Sequence, residues 1–213
     1  GASESNLCLD PTHTNFLQAV RFDQYDLLLL DVRSERTDTR VMAEAQWKLI
    51  KAYLTTRLTD GAPPPHLFIV SSIPLVYLNF GATERFLDWL PWRQEFEDDL
   101  RDQWESHAHQ EERARLIMTL LDHAATAHTR ISILSGDVHV GARGHIVSRR
   151  PEHLLANETE AVIHQLTSSA IVYPPPGPFA LAGMRTLAKE GPSPLLAVSH
   201  VETAVVPLGA AHF

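Results

Sequence analysis

The chain has 213 residues, 44% hydrophobic and 21% charged, the proportions of an ordinary globular protein with room for one large domain or a domain with long excursions. Its 18 Lys+Arg against 26 Asp+Glu leave a net charge of -8, which argues against nucleic acid as the default partner, because a phosphate-binding face needs clustered cations. A single cysteine, Cys8, excludes an intrachain disulfide and a cysteine-based zinc site, and no apolar run reaches the roughly 18 residues of a transmembrane helix.

The first element is Tyr25-Asp26-Leu27-Leu28-Leu29-Leu30, an apolar run that predicts a strand buried on both faces. It switches abruptly to Asp31-Val32-Arg33-Ser34. A helix is expected over residues 41–58, with Trp47, Ile50, Leu54 and Leu58 as its apolar stripe and Gly61 with Pro63-Pro64-Pro65 to stop it. Leu67-Phe68-Ile69-Val70 predicts a second buried strand, ending in Ser71-Ser72. Residues 74–92, rich in aromatics and without clean periodicity, read as a long loop of the kind that covers a site.

Residues 95–104 read as helical, and residues 109–127 as a firmer helix. Leu116, Ile117, Leu120, Leu121 and Ala124 share its inner face, with a Glu111/Arg115 pair outside. Ile131-Ser132-Ile133-Leu134 predicts a buried strand, with a hairpin return through His145-Ile146-Val147. The basic spot from Arg143 to Arg150 reads as a solvated loop. Residues 161–166 form another strand, ending in Thr167-Ser168-Ser169, and Tyr173-Pro174-Pro175-Pro176-Gly177-Pro178 must be extended. A short helix near residues 179–187 and strands at 195–198 and 203–206 complete the reading.

Four apolar strands thus end in small polar or charged residues: Asp31/Arg33, Ser71/Ser72, Ser135/Asp137/His139 and Ser168/Ser169. In α/β sheets ligands gather at the carboxyl ends of strands. The most informative segment is Ser135-Gly136-Asp137-Val138-His139-Val140-Gly141. An acid and an imidazole two residues apart on extended chain can point to one side, and the pair of hard oxygen and borderline nitrogen donors suits metal sites in hydrolases. The alternative is a turn aspartate and a solvent histidine.

The series of motifs resembles the alkaline phosphatase D-like (PhoD-like) metallophosphatases. It comprises Asp31-Val32-Arg33-Ser34-Glu35-Arg36-Thr37, Glu44-Ala45-Gln46-Trp47, Ser71-Ser72-Ile73-Pro74, Trp104, Arg113-Ala114-Arg115-Leu116-Ile117 and the segment around Asp137 and His139, in family order. The resemblance implies the calcineurin-like phosphoesterase fold, an α/β architecture with a β-sandwich flanked by helices. It also implies metal-dependent hydrolysis of phosphomonoesters or phosphodiesters by a two-metal centre, and Asp137 and His139 as metal ligands. The ions implied are divalent or mixed-valence, Fe, Ca, Mn or Zn.

The superfamily's early metal motifs, an Asp-x-His, a Gly-Asp-x-x-Asp type segment and an Asn-His pair, are not found here. Residues 1–213 are therefore expected to be a single domain or the C-terminal part of a larger metallophosphatase domain. Gly1-Ala2-Ser3-Glu4-Ser5 carries neither an initiator Met nor the parts of a signal peptide. The expectation is a piece of something longer, leaning cytoplasmic, inactive or nearly so in isolation. A missing half-sandwich would leave an apolar sheet face that associates with the absent part or with itself.

Arg33 is the candidate phosphate clamp, since a guanidinium fork suits two phosphate oxygens; an ion pair with Asp31 or Glu35 is the equal rival. Ser71 and Ser168 line a pocket or cap backbone. His107 and His109 read as surface residues at a helix start, the alternative being that they reach the site from the long excursion, and His164 as a hydrogen-bonded histidine of the core or behind a metal ligand. Trp47, Trp89, Trp92 and Trp104 read as core anchors, with Trp92 and Trp104 where a lid would close. A competing function is a non-catalytic interaction or scaffolding module. An α/β-hydrolase needs a Gly-x-Ser-x-Gly elbow, which the chain lacks.

Overall fold

The computed structural model describes residues 6–59, 63–77, 104, 109–136, 141–168, 182, 184–186, 191–196 and 198–209. These residues form a mixed α/β structure. Its strands are β1 (Asn6–Cys8), β2 (Gln18–Phe22), β3 (Tyr25–Leu29), β4 (His66–Ser71), β5 (Arg130–Ser135), β6 (Gly141–Ser148), β7 (Ala161–Thr167), β8 (Ser193–Pro194) and β9 (Val201–Gly209). Two long helices, α1 (Glu44–Thr59) and α2 (Gln110–Ala127), lie between β3 and β5 in the chain. The strands make one nine-stranded sheet in the order β1-β2-β3-β4-β5-β7-β6-β9-β8.

Its centre is parallel: β3 pairs with β4, β4 with β5 and β5 with β7. Every other pairing is antiparallel. The four apolar runs read from the sequence are these four central strands. The expected hairpin return from β5 is not formed, because β5 already pairs with β4 on one edge and β7 on the other. β6 lies beyond β7, bonded to β7 and β9. The basic stretch 143–148 is therefore part of β6 rather than a loop.

One face of the sheet carries the core. Leu28, Ile69, Ile133 and Ile163 are at most 2% exposed and pack with Trp47, Ile50 and Leu54 of α1 and Leu116, Ile117 and Leu120 of α2. Each such side chain contributes about 1.5–3 kcal/mol on leaving water. The opposite face is only partly covered, so β3, β4 and β5 bury alternate residues rather than both faces. The register aligns Leu29, Val70, Leu134, Leu166, Arg143 and Val206 across that open face. Leu166 is 53% exposed and Val206 46%.

Helix α1 starts at Glu44, three residues later than expected. The N–H groups of Val41 and Met42 donate to the Glu112 carboxylate at 2.7 and 2.8 Å, which holds them outside the helix. Helix α2 ends at His128, whose left-handed φ of 52° and N–H bond to the Ala124 carbonyl form a C-cap. Arg115 pairs with Glu44 of α1 at 2.7 Å rather than with Glu111, and its guanidinium lies 4.3 Å over the Trp47 ring. Leu195, Leu196 and Val198 are not in a strand. Val198 N–H closes on the Leu195 carbonyl at 3.1 Å in a turn beside β8 and β9. The expected elements at 78–103 and 173–178 lie outside the described residues, as does most of the short helix near 179–187.

Candidate functional site

The carboxyl ends of the parallel strands bring a row of buried polar residues together. Ser71, Ser135 and Thr167 are aligned by register, and Leu30 N–H donates to the Val70 carbonyl at 2.9 Å, which puts Asp31 at the same edge. Asp31, Ser71, Ser135 and Thr167 are between 1% and 9% exposed. Ser71 Oγ donates to the Ile73 carbonyl at 2.6 Å, so Ser71 is a backbone cap. Ser135 Oγ shares a 3.0 Å hydrogen bond with Thr167 Oγ1, and Ser168 N–H donates to the Ser135 carbonyl at 2.9 Å.

Asp31 organises the loop after β3. Its Oδ1 accepts from the N–H groups of Arg33 at 3.0 Å and Ser34 at 2.9 Å, and its Oδ2 from that of Phe16 at 2.8 Å. Burial disfavours the charge, but the hydrogen bonds from Ser34, Phe16 and Arg33 outweigh it and hold the carboxyl below its ordinary range. The sequence left open whether Asp31 and Arg33 interact; the contact here is carboxylate to backbone.

The Arg33 side chain is exposed, and its Nε donates to Ser72 Oγ at 3.3 Å across 39 residues of sequence. Gly136 leaves β5 beside the same residue: a Cβ there would lie 3.9 Å from the Ser72 carbonyl oxygen. Arg33, Ser72 and Gly136 are therefore neighbours at one edge of the sheet. Asp137 and His139, the sequence's metal-ligand candidates, lie outside the described residues, as do His107, Trp89 and Trp92. Among the described residues no group of three or more His, Cys, Asp or Glu is placed to hold a metal ion.

Two histidine readings are corrected. His164 lies in β7 on the open face and is exposed, not a core residue, because the buried side of β7 belongs to Ile163, Gln165 and Thr167. His109 is 1% exposed, not a surface residue. Trp47 and Trp104 are core residues, 3% and 0% exposed.

Several residues that support this edge were not singled out. Gln46, fully buried, bonds both backbone groups of Asp31; its spacing of four from Ile50 and eight from Leu54 marks it as inward-facing. Gln165, also fully buried, accepts from Leu75 and Val76 N–H and donates to the Val76 carbonyl and Thr167 Oγ1. Its alternation with Ile163 and Thr167 was the available signal. Arg113, 4% exposed, donates through Nε to the Leu75 carbonyl at 2.6 Å and through Nη2 to Thr203 Oγ1 at 3.2 Å. Gln165 and Arg113 together fix the chain as it leaves β4, and Gln46 fixes it as it leaves β3.

With this geometry in place, comparison with known proteins is informative. Residues 92–190 match the sequence model of a family described as PhoD related phosphatase. The resemblance read from the motifs holds over that region, which includes positions 137 and 139. The uncharacterized protein YGR266W of Saccharomyces cerevisiae is 29% identical over 194 residues, an alignment covering 73% of this chain and 27% of the relative. The chain thus spans about a quarter of that relative's length, 27%.

Proposed function

We propose that this chain supplies part of the active site of a metal-dependent phosphate-ester hydrolase acting on phosphomonoesters or phosphodiesters. The observation that supports it most is the meeting of Arg33, Ser72 and Gly136 at the carboxyl edge of four parallel strands, where α/β sheets place ligands. The match of residues 92–190 to the PhoD related phosphatase family agrees with it.

In this reading Asp137 and His139, which follow Gly136 in the chain, are metal ligands. A carboxylate oxygen with a neutral imidazole nitrogen is a donor set that fits Mn, Fe, Zn or, through the carboxylate, Ca. Such an ion supplies Lewis acidity and a water of lowered pKa. Arg33 binds and orients phosphoryl oxygens with its planar fork. Two donors do not fill a coordination sphere, so the remaining ligands come from elsewhere in a longer protein, and the isolated chain is nearly inactive. The open apolar face seats a second sheet and completes a β-sandwich flanked by helices of the calcineurin-like kind.

The test is hydrolysis of p-nitrophenyl phosphate and bis(p-nitrophenyl) phosphate by the full-length protein, with Mn, Fe, Ca and Zn added singly. Asp137→Ala and His139→Ala should each lower the metal-dependent rate at least about a hundredfold. Wild-type rates in both variants would overturn the proposal. The open face also favours a second reading, a non-catalytic interaction module. That reading stands if the full-length protein hydrolyses neither ester with any of the four metals, while charged substitutions at Leu166 and Val206 abolish an association of the wild-type protein.

A further inference from the structure

We infer that Phe16 and Arg33 form a two-part subsite, Arg33 for the phosphoryl group and Phe16 for an aromatic organic group, so that the preferred esters are aryl or heteroaromatic phosphates. The inference rests on the phosphatase reading above and names its substrate class. Phe16 is 72% exposed, although Asn15 and Leu17 on either side are 2% and 0% exposed. Its loop is firmly built: Asp10 Oδ2 accepts from the N–H groups of Thr14 and Asn15, and Asn15 Oδ1 from that of Leu17. An aromatic ring held in water by a rigid loop forgoes the burial that such a ring ordinarily takes.

Its position links it to the candidate site. Phe16 N–H donates to one oxygen of the Asp31 carboxylate, and Arg33 and Ser34 N–H donate to the other. A single buried carboxylate therefore fixes the backbone of an exposed ring and of an exposed guanidinium together at the ligand-gathering edge of the sheet. A planar ring offers an offset-stacking surface to an aromatic group, and a guanidinium fork suits a phosphoryl group. Phe22, 58% exposed, provides the contrast. It pairs with Tyr25 at the start of β3, the opposite end of the sheet.

The test is calorimetric titration of the full-length protein, stripped of metal so that no ester is turned over, with phenyl phosphate, glycerol 2-phosphate and inorganic phosphate. The wild type should bind phenyl phosphate about tenfold more tightly than glycerol 2-phosphate. Phe16→Ala should erase that preference, Phe22→Ala should keep it, and Arg33→Gln should weaken all three ligands alike. Equal binding of the two esters by the wild type, or a preference that survives Phe16→Ala, overturns the inference. If Arg33→Gln still weakens every ligand in that case, only the aromatic subsite falls. If no phosphate ligand binds, or Arg33→Gln changes nothing, the Arg33 clamp falls with it. A change in sedimentation on Phe16→Ala without a change in ligand preference assigns Phe16 to a protein contact and also overturns the inference.

Discussion

Gln46 and Asp31 close a ring of two hydrogen bonds: Asp31 N–H donates to Gln46 Oε1 at 3.1 Å, and Gln46 Nε2 donates to the Asp31 carbonyl at 2.8 Å. The amide side chain thus takes the place of a neighbouring strand just where β3 ends, and it ties the Arg33 loop to α1. Both backbone groups are buried with Asp31. Gln46→Ala strips both of their partner, which should cost about 2–4 kcal/mol, since each unsatisfied buried group costs about 1–3. Urea unfolding measures this, and exposed Lys48→Ala should stay within about 0.5 kcal/mol of the wild type.

Ser148, His153 and Asp122 have the order of a catalytic triad without its access. Ser148 Oγ lies 2.7 Å from His153 Nδ1, and His153 Nε2 lies 3.0 Å from Asp122 Oδ1. Yet Ser148 is 0% exposed and its Oγ also accepts from Arg150 N–H. The set is a strut joining β6 to α2, not a nucleophile. A fluorophosphonate probe should leave Ser148 unlabelled, and Ser148→Ala should cost about 1–3 kcal/mol of stability. A covalent adduct at Ser148 would contradict this assignment and revive serine-hydrolase chemistry.

Acid should weaken the fold near neutral pH. Burial pushes the His123 imidazole below its ordinary value of 6.5, and its Nε2 is buried without a hydrogen-bond partner among the described residues. His66 moves the same way, through burial and then the nearby Arg130. Below about pH 6.5 the unfolded chain takes up protons that the folded chain resists, so stability is full above that pH and declines as pH falls through the lower folded values. Urea unfolding at pH 7.5 and 5.5 should show the loss in the wild type. His123→Leu should reduce the difference, and an unchanged difference would contradict the account.

Much of this architecture is legible in the chain, and its losses have physical reasons. The runs at 25–30, 67–70, 131–134 and 161–166 announce central strands because a short apolar run between polar turns has few other places to go. Of their polar endings, Asp31, Ser71, Ser135 and Ser168 meet at one edge, because the strands are parallel neighbours. Strand order is a long-range property, and nothing local in residues 141–148 says that β7 will come between β5 and β6. Leu195 to Val198 looks like a strand by composition, but its hydrogen bonding closes a turn.

Arg115 has a nearer carboxylate in sequence at Glu111, yet a bidentate fit to Glu44, with both contacts at 3.0 Å or less, wins. In the candidate site, Arg33 stood out because it lies just past the end of an apolar strand and its guanidinium fork suits two phosphate oxygens. Gln46 and Gln165 did not, since an inward-facing amide is visible only through the period of its apolar neighbours. Phe16 left no sequence signal, because an exposed aromatic follows no periodicity.

The most direct measurement for the central claim is an anomalous-scattering crystal structure of the full-length protein grown with Mn and phosphate. The account predicts a metal peak within about 2.0–2.3 Å of an Asp137 carboxylate oxygen and a His139 ring nitrogen, with phosphate on the Arg33 side of it. Asp137 and His139 side chains pointing apart, with no metal between them, would contradict it.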